Sequence, residues 1–426
     1  MRRDLTKKYS TLFEKRGMKR IFSFVQDVYQ FGKLREIISF AVWEILHKLG
    51  LFRKKDYLVF EKREAIKLNG KNLSGAEFDV KTTQFFASNG LKAVKSKLNW
   101  KLLYFHHGEI FGSLYPDDCD LYKSMDGGKT AIFLNKFPES IKSIFVSSQN
   151  TILICLKGSL YRSSGSGKTF EKILDLGSHV SFFRFNNAIT ETPDRVLMAG
   201  EYGNIMDNNR WRKLAYIYIS SDDGKTWKTS DFLIQMGTNK HVHIVKYSRI
   251  LNKVMVADGD NYKRLWLANS LNGSDHENSQ WELITKFHIQ MGGYTAVVES
   301  NGKVIFGTDY QGGTNFLVET VDGKKFTKKI IPEPYRRSPI DNMVVRKSKA
   351  GEEIWANLPF STVNTKCLLM YTANNGKSWN KVFEYDRSTH TVWLINSSTD
   401  LSNELYFSVE DLSNKDRVVY RISDNQ

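Results

Sequence analysis

The sequence has 426 residues, of which 41% are hydrophobic, 13% aromatic and 25% charged, a composition that argues against global disorder. The formal net charge is +16, but residues 1–56 contain 14 Lys and Arg against 6 Asp and Glu, a net of +8, so half of the excess charge lies in this short segment. The remainder is only mildly basic, and we expect no nucleic-acid partner.

Cysteine usage favours a reducing compartment. Cys119, Cys155 and Cys367 lie far apart, show no CxxC spacing and cannot all pair with one another. We therefore expect a cytoplasmic location.

Residues 1–56 are predicted to form a basic amphipathic helical extension. From Met18 to Leu49 apolar residues recur every three or four positions, which is a helical period, and Gly32 is a candidate break between two helices. No uncharged run approaches the roughly 18 residues that a spanning helix needs, and no cleavage site follows a short apolar core. Two interpretations stay open: a helical pair packed on the main domain or a partner, or an interfacial helix on an anionic membrane, which would place the protein peripherally on its inner face.

A short motif recurs through the rest of the chain. Ser220–Trp227 reads SSDDGKTW and follows Tyr216–Ile219, a run of aromatic and β-branched residues that suits a strand. Ser and Asp side chains bond backbone amides in tight turns, and Gly224 can take a positive φ, so the segment predicts a hairpin. Related segments begin at residues 124, 163, 320 and 372, and an altered copy at residue 270. This regular repetition predicts a repeat architecture.

The motif Ser-x-Asp-x-Gly-x-Thr-Trp resembles the Asp-box, or BNR repeat, of the sialidase superfamily, in which each box joins the third and fourth strands of a propeller blade. The resemblance implies an all-β, sialidase-like β-propeller over residues 57–426. A further strand, Arg417–Ser423, falls one period after the last box, so we predict seven blades, with six as the alternative. The chain stops without a fourth strand there, and Tyr57–Glu61 is predicted to supply it by pairing with the C-terminal blade.

The boxes of that family lie on the side away from the active site, so we place the candidate site on the opposite rim. There a blade's first strand starts and its second strand ends. His241 and His243 share one face at the start of a first strand, and Glu201, Asp258 and Asp309 end three second strands. Carboxylates beside glycine also form ordinary turns, and the histidines are compatible with a structural, substrate-contacting or metal-binding role. We assign no metal and no cofactor.

A second resemblance concerns HVHIV, ADGD and GTDY, which begin at His241, Ala257 and Gly307. This order is similar to a subgroup of sialidase-like propellers from surface-polysaccharide settings, and it implies a common site at these three positions. The FRIP-like motif of true sialidases is missing, and Phe183-Arg184-Phe185 is the nearest counterpart.

The leading hypothesis is a sialidase-like glycosidase that acts on an acidic surface or capsular glycan, with an oligosaccharide or polysaccharide as its partner. The catalytic candidates are Glu201, His241, His243, Asp258 and Asp309, and the substrate-binding candidates are Arg184, Tyr202, Asp260, Tyr294, Tyr310 and Arg337. Asp258 or Asp309 would be the acid/base, Glu201 and the histidines would orient the sugar, and the tyrosines would stack on it. A polysaccharide lyase and a non-catalytic glycan- or protein-binding propeller in polysaccharide assembly are the alternatives.

Overall fold

A computed structural model describes residues 18–30, 34–68, 76–88, 90–164, 167–185, 187–207, 210–238, 240–258, 264–269, 281–284, 293–360, 365–398 and 401–424. The described N-terminal residues include three α-helices, α1 (Met18–Gln30), α2 (Leu34–Lys48) and α3 (Ala76–Ala87), and a 3-10 turn at Lys54–Asp56. A short helix, α4 (Phe232–Gln235), lies later in the chain. Most of the remaining described residues form strands.

The strands form seven antiparallel blades within the described part of the chain, numbered here in chain order. Blade 1 consists of Trp100–His106, Glu109–Leu114, Asp120–Ser124 and Ile132–Lys136. Blade 2 consists of Ser143–Val146, Thr151–Leu156, Ser159–Ser164 and Glu171–Asp175. Blade 3 consists of a divided first strand, Phe182–Phe183 and Ile189–Glu191, followed by Leu197–Tyr202, Ile217–Ser220 and Lys228–Ser230, with a small hairpin of Met206–Asp207 and Arg210–Trp211.

Blade 4 consists of Val242–Ser248, Lys253–Asp258, Leu265–Asn269 and Glu282–Leu283. Blade 5 consists of Tyr294–Ser300, Lys303–Thr308, Phe316–Thr320 and Thr327–Ile330. Blade 6 consists of Asn342–Ser348, Gly351–Leu358, Cys367–Thr372 and Asn380–Tyr385, with Ile66–Leu68 added in parallel at its edge. Blade 7 consists of His390–Leu394, Leu405–Asp411, Arg417–Asp424 and Leu91–Lys95. The prediction of an all-β propeller with seven blades is confirmed.

The ring closes at blade 7 with a strand from the N-terminal part of the chain. Leu91–Lys95 pairs antiparallel with Arg417–Asp424, and Asn396–Ser398 pairs in parallel with the first strand of blade 1. The prediction that Tyr57–Glu61 supplies the closing strand is wrong. Tyr57 and Phe60 instead form isolated bridges with Ile330 of blade 5 and Trp379 of blade 6.

The core lies between the faces of neighbouring blades. Inner strands are buried on both faces, so Thr151–Leu156 is buried at every position, whereas the outermost strand of the same blade, Glu171–Asp175, has no buried residue. Stacked blades explain this difference, because an inner strand is covered by the blades on either side and an outer strand meets solvent.

The recurrent motif forms the hairpin between third and fourth strands, as predicted. In blade 3 the Ser220 hydroxyl donates to Asp222 Oδ1 at 2.8 Å, and Asp222 accepts from the Thr226 amide at 2.9 Å and the Thr226 hydroxyl at 2.7 Å. The Gly224 amide donates to Ser220 Oγ at 2.9 Å, and Gly224 has a φ of 81°. The altered copy that begins at residue 270 lies outside the described residues.

Helix α2 is fixed to the rim of the propeller at the connection between blades 5 and 6. Glu44 accepts from Arg336 Nη1 at 2.7 Å and from Arg337 Nη2 at 2.8 Å. The Trp43 ring meets Phe316 edge-on at 5.1 Å. Among the described helices, none has the length and apolar composition that crossing a bilayer requires.

Candidate functional site

The first strand of blade 3 is divided, and described residues beside the break contact other blades. The strand stops at Phe183 and resumes at Ile189. Asn187 accepts a hydrogen bond from the Val245 amide of blade 4 at 2.6 Å and donates through Nδ2 to the Thr295 carbonyl of blade 5 at 3.3 Å. Asn187 therefore connects blade 3 to the first strands of blades 4 and 5.

Arg184 forms an ion pair that joins blade 3 to blade 6. Its Nη2 lies 3.0 Å from Asp341 Oδ1 and 3.1 Å from the Asp341 carbonyl oxygen, and the guanidinium lies 5.2 Å from the centre of the Tyr202 ring. Burial acts to lower the pKa of Arg184, but Asp341, Tyr202 and Asp309 together raise it. The side chain therefore stays charged.

His241 and His243 lie side by side next to Tyr202. The two Nε2 atoms are 2.9 Å apart, and the His241 ring lies 4.1 Å from the Tyr202 ring, centre to centre. Each Nδ1 faces a backbone carbonyl, that of Gly203 at 2.7 Å for His241 and that of Tyr294 at 3.2 Å for His243. The predicted shared face of the two histidines is thus observed.

These three contacts of the histidine pair need three N–H groups, but two neutral imidazoles carry only two. Burial lowers the pKa of both histidines well below the usual value, and the charges of Lys240 and Arg184 lower it further. The pair is therefore neutral at pH 7, and taking up one more proton would complete its hydrogen bonds at the cost of burying a charge.

Asp309 is a half-buried carboxylate at the end of the second strand of blade 5. Burial raises its pKa to about 6; the Arg184 charge acts against this shift, the Asp341 charge adds to it, and Lys240 opposes it. Its backbone amide donates to the Gly293 carbonyl at 2.9 Å, which fixes the strand end. A carboxyl that titrates near pH 6 is suited to exchanging protons with a substrate.

The loop after Asp309 is organised by Asn315, which is fully buried. Asn315 Oδ1 accepts from the Tyr310 amide at 2.8 Å and from the Thr308 hydroxyl at 3.2 Å. Tyr310, a predicted substrate-binding residue, directly follows Asp309 and is half-buried.

The structure separates Glu201 from this cluster. Adjacent residues of a strand point to opposite faces, so Tyr202 meets the histidines while Glu201 turns towards blade 2. Glu201 is fully buried and accepts from the Tyr218 hydroxyl at 2.5 Å and the Gly177 amide at 3.0 Å. Burial raises its pKa, and these hydrogen bonds act in the opposite direction. The predicted catalytic role of Glu201 conflicts with this enclosed position.

Asp258 is also held apart. It forms an ion pair with Arg264 and accepts from the Thr238 hydroxyl at 2.7 Å, within the connection that precedes blade 4. Burial raises its pKa to about 6, although Arg264 and Thr238 act to lower it. Its 1% exposure makes it a structural carboxylate and argues against the predicted acid/base role.

Three binding candidates have other placements. The Tyr294 ring is 1% exposed and packs on Phe306 at 4.8 Å, so it offers no face for a sugar. Arg337 is engaged with Glu44 of helix α2, which occupies the guanidinium that was expected to bind an anion. Asp260 lies outside the described residues.

Sequence reasoning missed Asp341 and Lys240. Asp341 immediately precedes the first strand of blade 6, just as Lys240 and His241 immediately precede that of blade 4. The rule that selected the histidines therefore also points to these two residues. Among the described residues, no group of three or more His, Cys, Asp or Glu side chains is arranged to hold a metal ion.

Neither a protein-family model nor a curated protein matches this sequence. Solved structures that are similar include the mitotic checkpoint complex, with 11% identity, 78% of this chain and 94% of that chain covered, and a TM-score of 0.49. The structure of U3-55K has 8% identity, covers 79% of this chain and 99% of that chain, and has a TM-score of 0.48. The structure of a putative gluconolactonase has 12% identity and a TM-score of 0.38, and the similarity covers 63% of this chain and 89% of that chain.

Proposed function

We propose that the protein is a sialidase-like glycosidase that acts on an acidic glycan at the channel mouth. The observation that carries this proposal is the convergence of residues from blades 3, 4 and 5. The Arg184 guanidinium lies 5.2 Å from the Tyr202 ring, which lies 4.1 Å from His241 of the His241–His243 pair, and the Arg184 charge acts on the Asp309 carboxyl. Residues brought together from different blades at one mouth are typical of a ligand site.

Asp309 is the general acid of this proposal. It is half-buried, so a ligand can reach it, and its raised pKa of about 6 keeps part of the population protonated near neutral pH. It would protonate the glycosidic oxygen as the bond to the leaving sugar breaks, while a water molecule adds its oxygen to the anomeric carbon and returns a proton to the Asp309 carboxylate. Arg184 and Lys240 would attract the negative charge of the glycan, and the half-buried Tyr202 ring would contact a sugar face.

Asp341 has a positioning role. It fixes Arg184 by two contacts to Nη2, and its charge contributes to the raised pKa of Asp309. The histidines are 0% exposed, so they would not contact the substrate, and the His241 ring would position Tyr202 by packing against it. The same burial disfavours a lyase in which His241 would act as the base.

The hairpin motifs support the sialidase-like part of the proposal. The Asp126 carboxylate of blade 1 accepts from the Lys129 and Thr130 amides at 3.0 Å each, in the same way as Asp222 of blade 3. Asn374 of blade 6 accepts from the Ser378 amide at 3.0 Å. This repeated geometry accords with the resemblance of the sequence to Asp-boxes.

The decisive experiment measures release of reducing ends or free sugar from a panel of sialylated and uronic-acid-containing oligosaccharides. We expect turnover of at least one of them by the wild type and a loss of about 100-fold or more in kcat for Asp309→Asn, the size typical of losing a general acid. Asp322→Asn is the matched control, because Asp322 lies in the hairpin of the same blade on the opposite rim.

A non-catalytic glycan-binding propeller is the second candidate. The ion pair between Arg184 and Asp341 favours this candidate. Because Asp341 already neutralises the Arg184 guanidinium, Arg184 can hold the structure together as well as bind an anion. If the wild type binds an oligosaccharide of the panel without turning any over, and Asp309→Asn changes only the affinity, the glycosidase proposal is rejected in favour of this one.

A further inference from the structure

Helix α1 is turned so that apolar side chains face the solvent. Met18, Ile21, Phe22, Val25 and Tyr29 recur at helical spacing, and each is at least 50% exposed. Asp27, by contrast, is 7% exposed. Val28 is also buried, at 2% exposure, but most of the large apolar residues of this helix are exposed, whereas a soluble helix normally buries its apolar side.

Helix α2 repeats the pattern. Leu34, Ile38, Ala41 and Ile45 are exposed along one side, whereas Ser39 is fully buried. Positions three and four apart lie on one face of a helix, so these four residues form a continuous apolar stripe. We call this stripe, together with the exposed apolar residues of α1, the apolar face.

The orientation of α2 is fixed by the propeller. Its opposite side carries Trp43, Glu44 and His47, and these contact Phe316, the Arg336–Arg337 pair and Tyr57 respectively. Both Arg336 and Glu44 would lose a charged partner if the helix rotated, which is costly for the 2% exposed Arg336. The apolar stripe of α2 is therefore held outward.

Charge identifies what covers the apolar face. Residues 1–56 carry a net charge of +8, and the exposed residues within and just after the two helices include Lys19, Lys48, Arg53, Lys54 and Lys55. A second copy of this chain would bring the same positive charge to the contact, which is repulsive. A bilayer that contains anionic lipid offers hydrocarbon to the stripe and negative headgroups to the lysines and arginines.

We propose that the apolar face of α1 and α2 docks the protein on the surface of an anionic lipid bilayer. The helices would lie in the interface, with the side of α2 that carries Trp43 and Glu44 on the propeller. This docking would hold the rim that carries the connection between blades 5 and 6 at the membrane, since α2 is bound to Arg336 and Arg337 there. The inference is independent of the proposed glycosidase activity.

Vesicle co-sedimentation of the full chain tests the proposal. The probes are vesicles of phosphatidylcholine alone and of phosphatidylcholine with about one third phosphatidylglycerol, the anionic fraction that draws basic segments to a surface. We expect tighter binding to the anionic vesicles, weakened by added salt, and a drop of about tenfold or more in the partition constant for the double variant Phe22→Glu and Ile45→Glu.

Val80→Glu is the matched control, because Val80 is 51% exposed on helix α3, outside the apolar face. It is expected to bind like the wild type, and all variants are expected to keep the wild-type circular dichroism spectrum. The proposal is overturned if the wild type does not sediment with anionic vesicles, if the double variant binds as well as Val80→Glu, or if sedimentation equilibrium shows a wild-type dimer that the double variant abolishes.

Discussion

Asp309 differs from the other carboxylates at the ends of second strands in how its charge is balanced. Asp258 has the Arg264 guanidinium and Glu201 has the Tyr218 hydroxyl in direct contact. For Asp309 no side chain within the described residues donates a hydrogen bond to the carboxylate, and the balance comes from Arg184, Lys240 and Asp341 through space. The pKa of Asp309 is therefore set by the neighbouring charges, and a pKa adjusted in this way is typical of groups that transfer protons.

This balance predicts a pH dependence for the proposed activity. The protonated form of Asp309 prevails below its pKa of about 6, so kcat is expected to be highest on the acid side and to fall as pH rises through about 6. Lys240→Met removes a charge that lowers this pKa, and it should move the alkaline limb of the profile to higher pH. A pH profile of kcat between pH 4 and about 9 measures both.

The raised pKa of Asp309 also makes the stability of the fold depend on pH. The folded state holds the proton more tightly than the unfolded state, so this group stabilises the fold below the usual aspartate range and loses that contribution as pH rises through about 6. An alkaline limb that is identical in wild type and Lys240→Met would contradict the assignment of Asp309 as the acid.

At the residue scale the sequence predicted which strand ends share a rim but not which side chains on it lie together. Strand ends mark the rim, so Asp309 and the two histidines could be selected from the sequence. Glu201 could not be separated from Tyr202 in this way, because the face towards which a strand-end residue points depends on the blade that packs there. The ion pair of Asp258 was hidden for a similar reason, since Arg264 belongs to the next strand connection.

At the scale of single elements, each hairpin is stabilised by the carboxylate or amide side chain of its turn, which accepts hydrogen bonds from backbone amides of the same turn. Asp222 accepts from the backbone and the hydroxyl of Thr226, and its pKa is lowered because these hydrogen bonds outweigh the effect of burial. In blade 1 the corresponding bonds from Thr130 lower the pKa of Asp126 to about 2.

Replacing Asp222 tests this role. Asp222→Ala removes these acceptors and is expected to lower the free energy of unfolding by about 1 kcal/mol, the usual value of a capping side chain. Asp222→Asn should lose less, because Asn374 fills the equivalent place in blade 6 with the same amide contact. Urea denaturation followed by tryptophan fluorescence measures both.

Because the hairpin lies on the rim opposite the candidate site, both Asp222 variants should keep wild-type turnover or ligand affinity. A loss of function in Asp222→Asn at wild-type stability would mean that the motif takes part in the chemistry, contrary to its structural role.

Two elements show where sequence patterns were insufficient. The divided first strand of blade 3 has no glycine or proline at the break, so nothing local marks the division. Tyr57–Glu61 and Leu91–Lys95 both have strand-like sequences, and the choice between them depends on helix α3. Phe85 and Phe86 of α3 pack in the core of blades 6 and 7, which places Leu91 beside the last strand.

At the scale of the whole molecule, neighbouring blades are joined by carboxylates that bind the turn of the preceding blade. Glu191 of blade 3 accepts from the Ser148 amide at 2.7 Å, and Glu352 of blade 6 accepts from the Asn301 amide at 2.9 Å. Asp424 of blade 7 accepts from the Lys349 amide at 2.9 Å. Each turn follows the first strand of its blade, so these bonds fix the spacing of the ring on the side of the hairpins.

The junction of blades 6 and 7 adds a buried ion network. Arg346, at 0% exposure, contacts Glu353 at 2.8 Å and Asp424 at 2.8 Å. Asp424 lies at the end of the strand that pairs with Leu91–Lys95. Closure of the ring therefore depends on the two ends of the propeller meeting in one blade.

The closing strand gives a test with an internal control. Ala93 is 5% exposed and pairs with Ile422, whereas Lys92 is exposed and pairs with Ser423. Ala93→Asp would bury an unpaired carboxylate and is expected to lower the free energy of unfolding by about 3 kcal/mol or more. Lys92→Asp and Val59→Asp, both at exposed positions, should change it by no more than about 0.5 kcal/mol. Urea denaturation decides the matter: if Val59→Asp were the most destabilised of the three, Tyr57–Glu61 and not Leu91–Lys95 would be the strand on which closure depends.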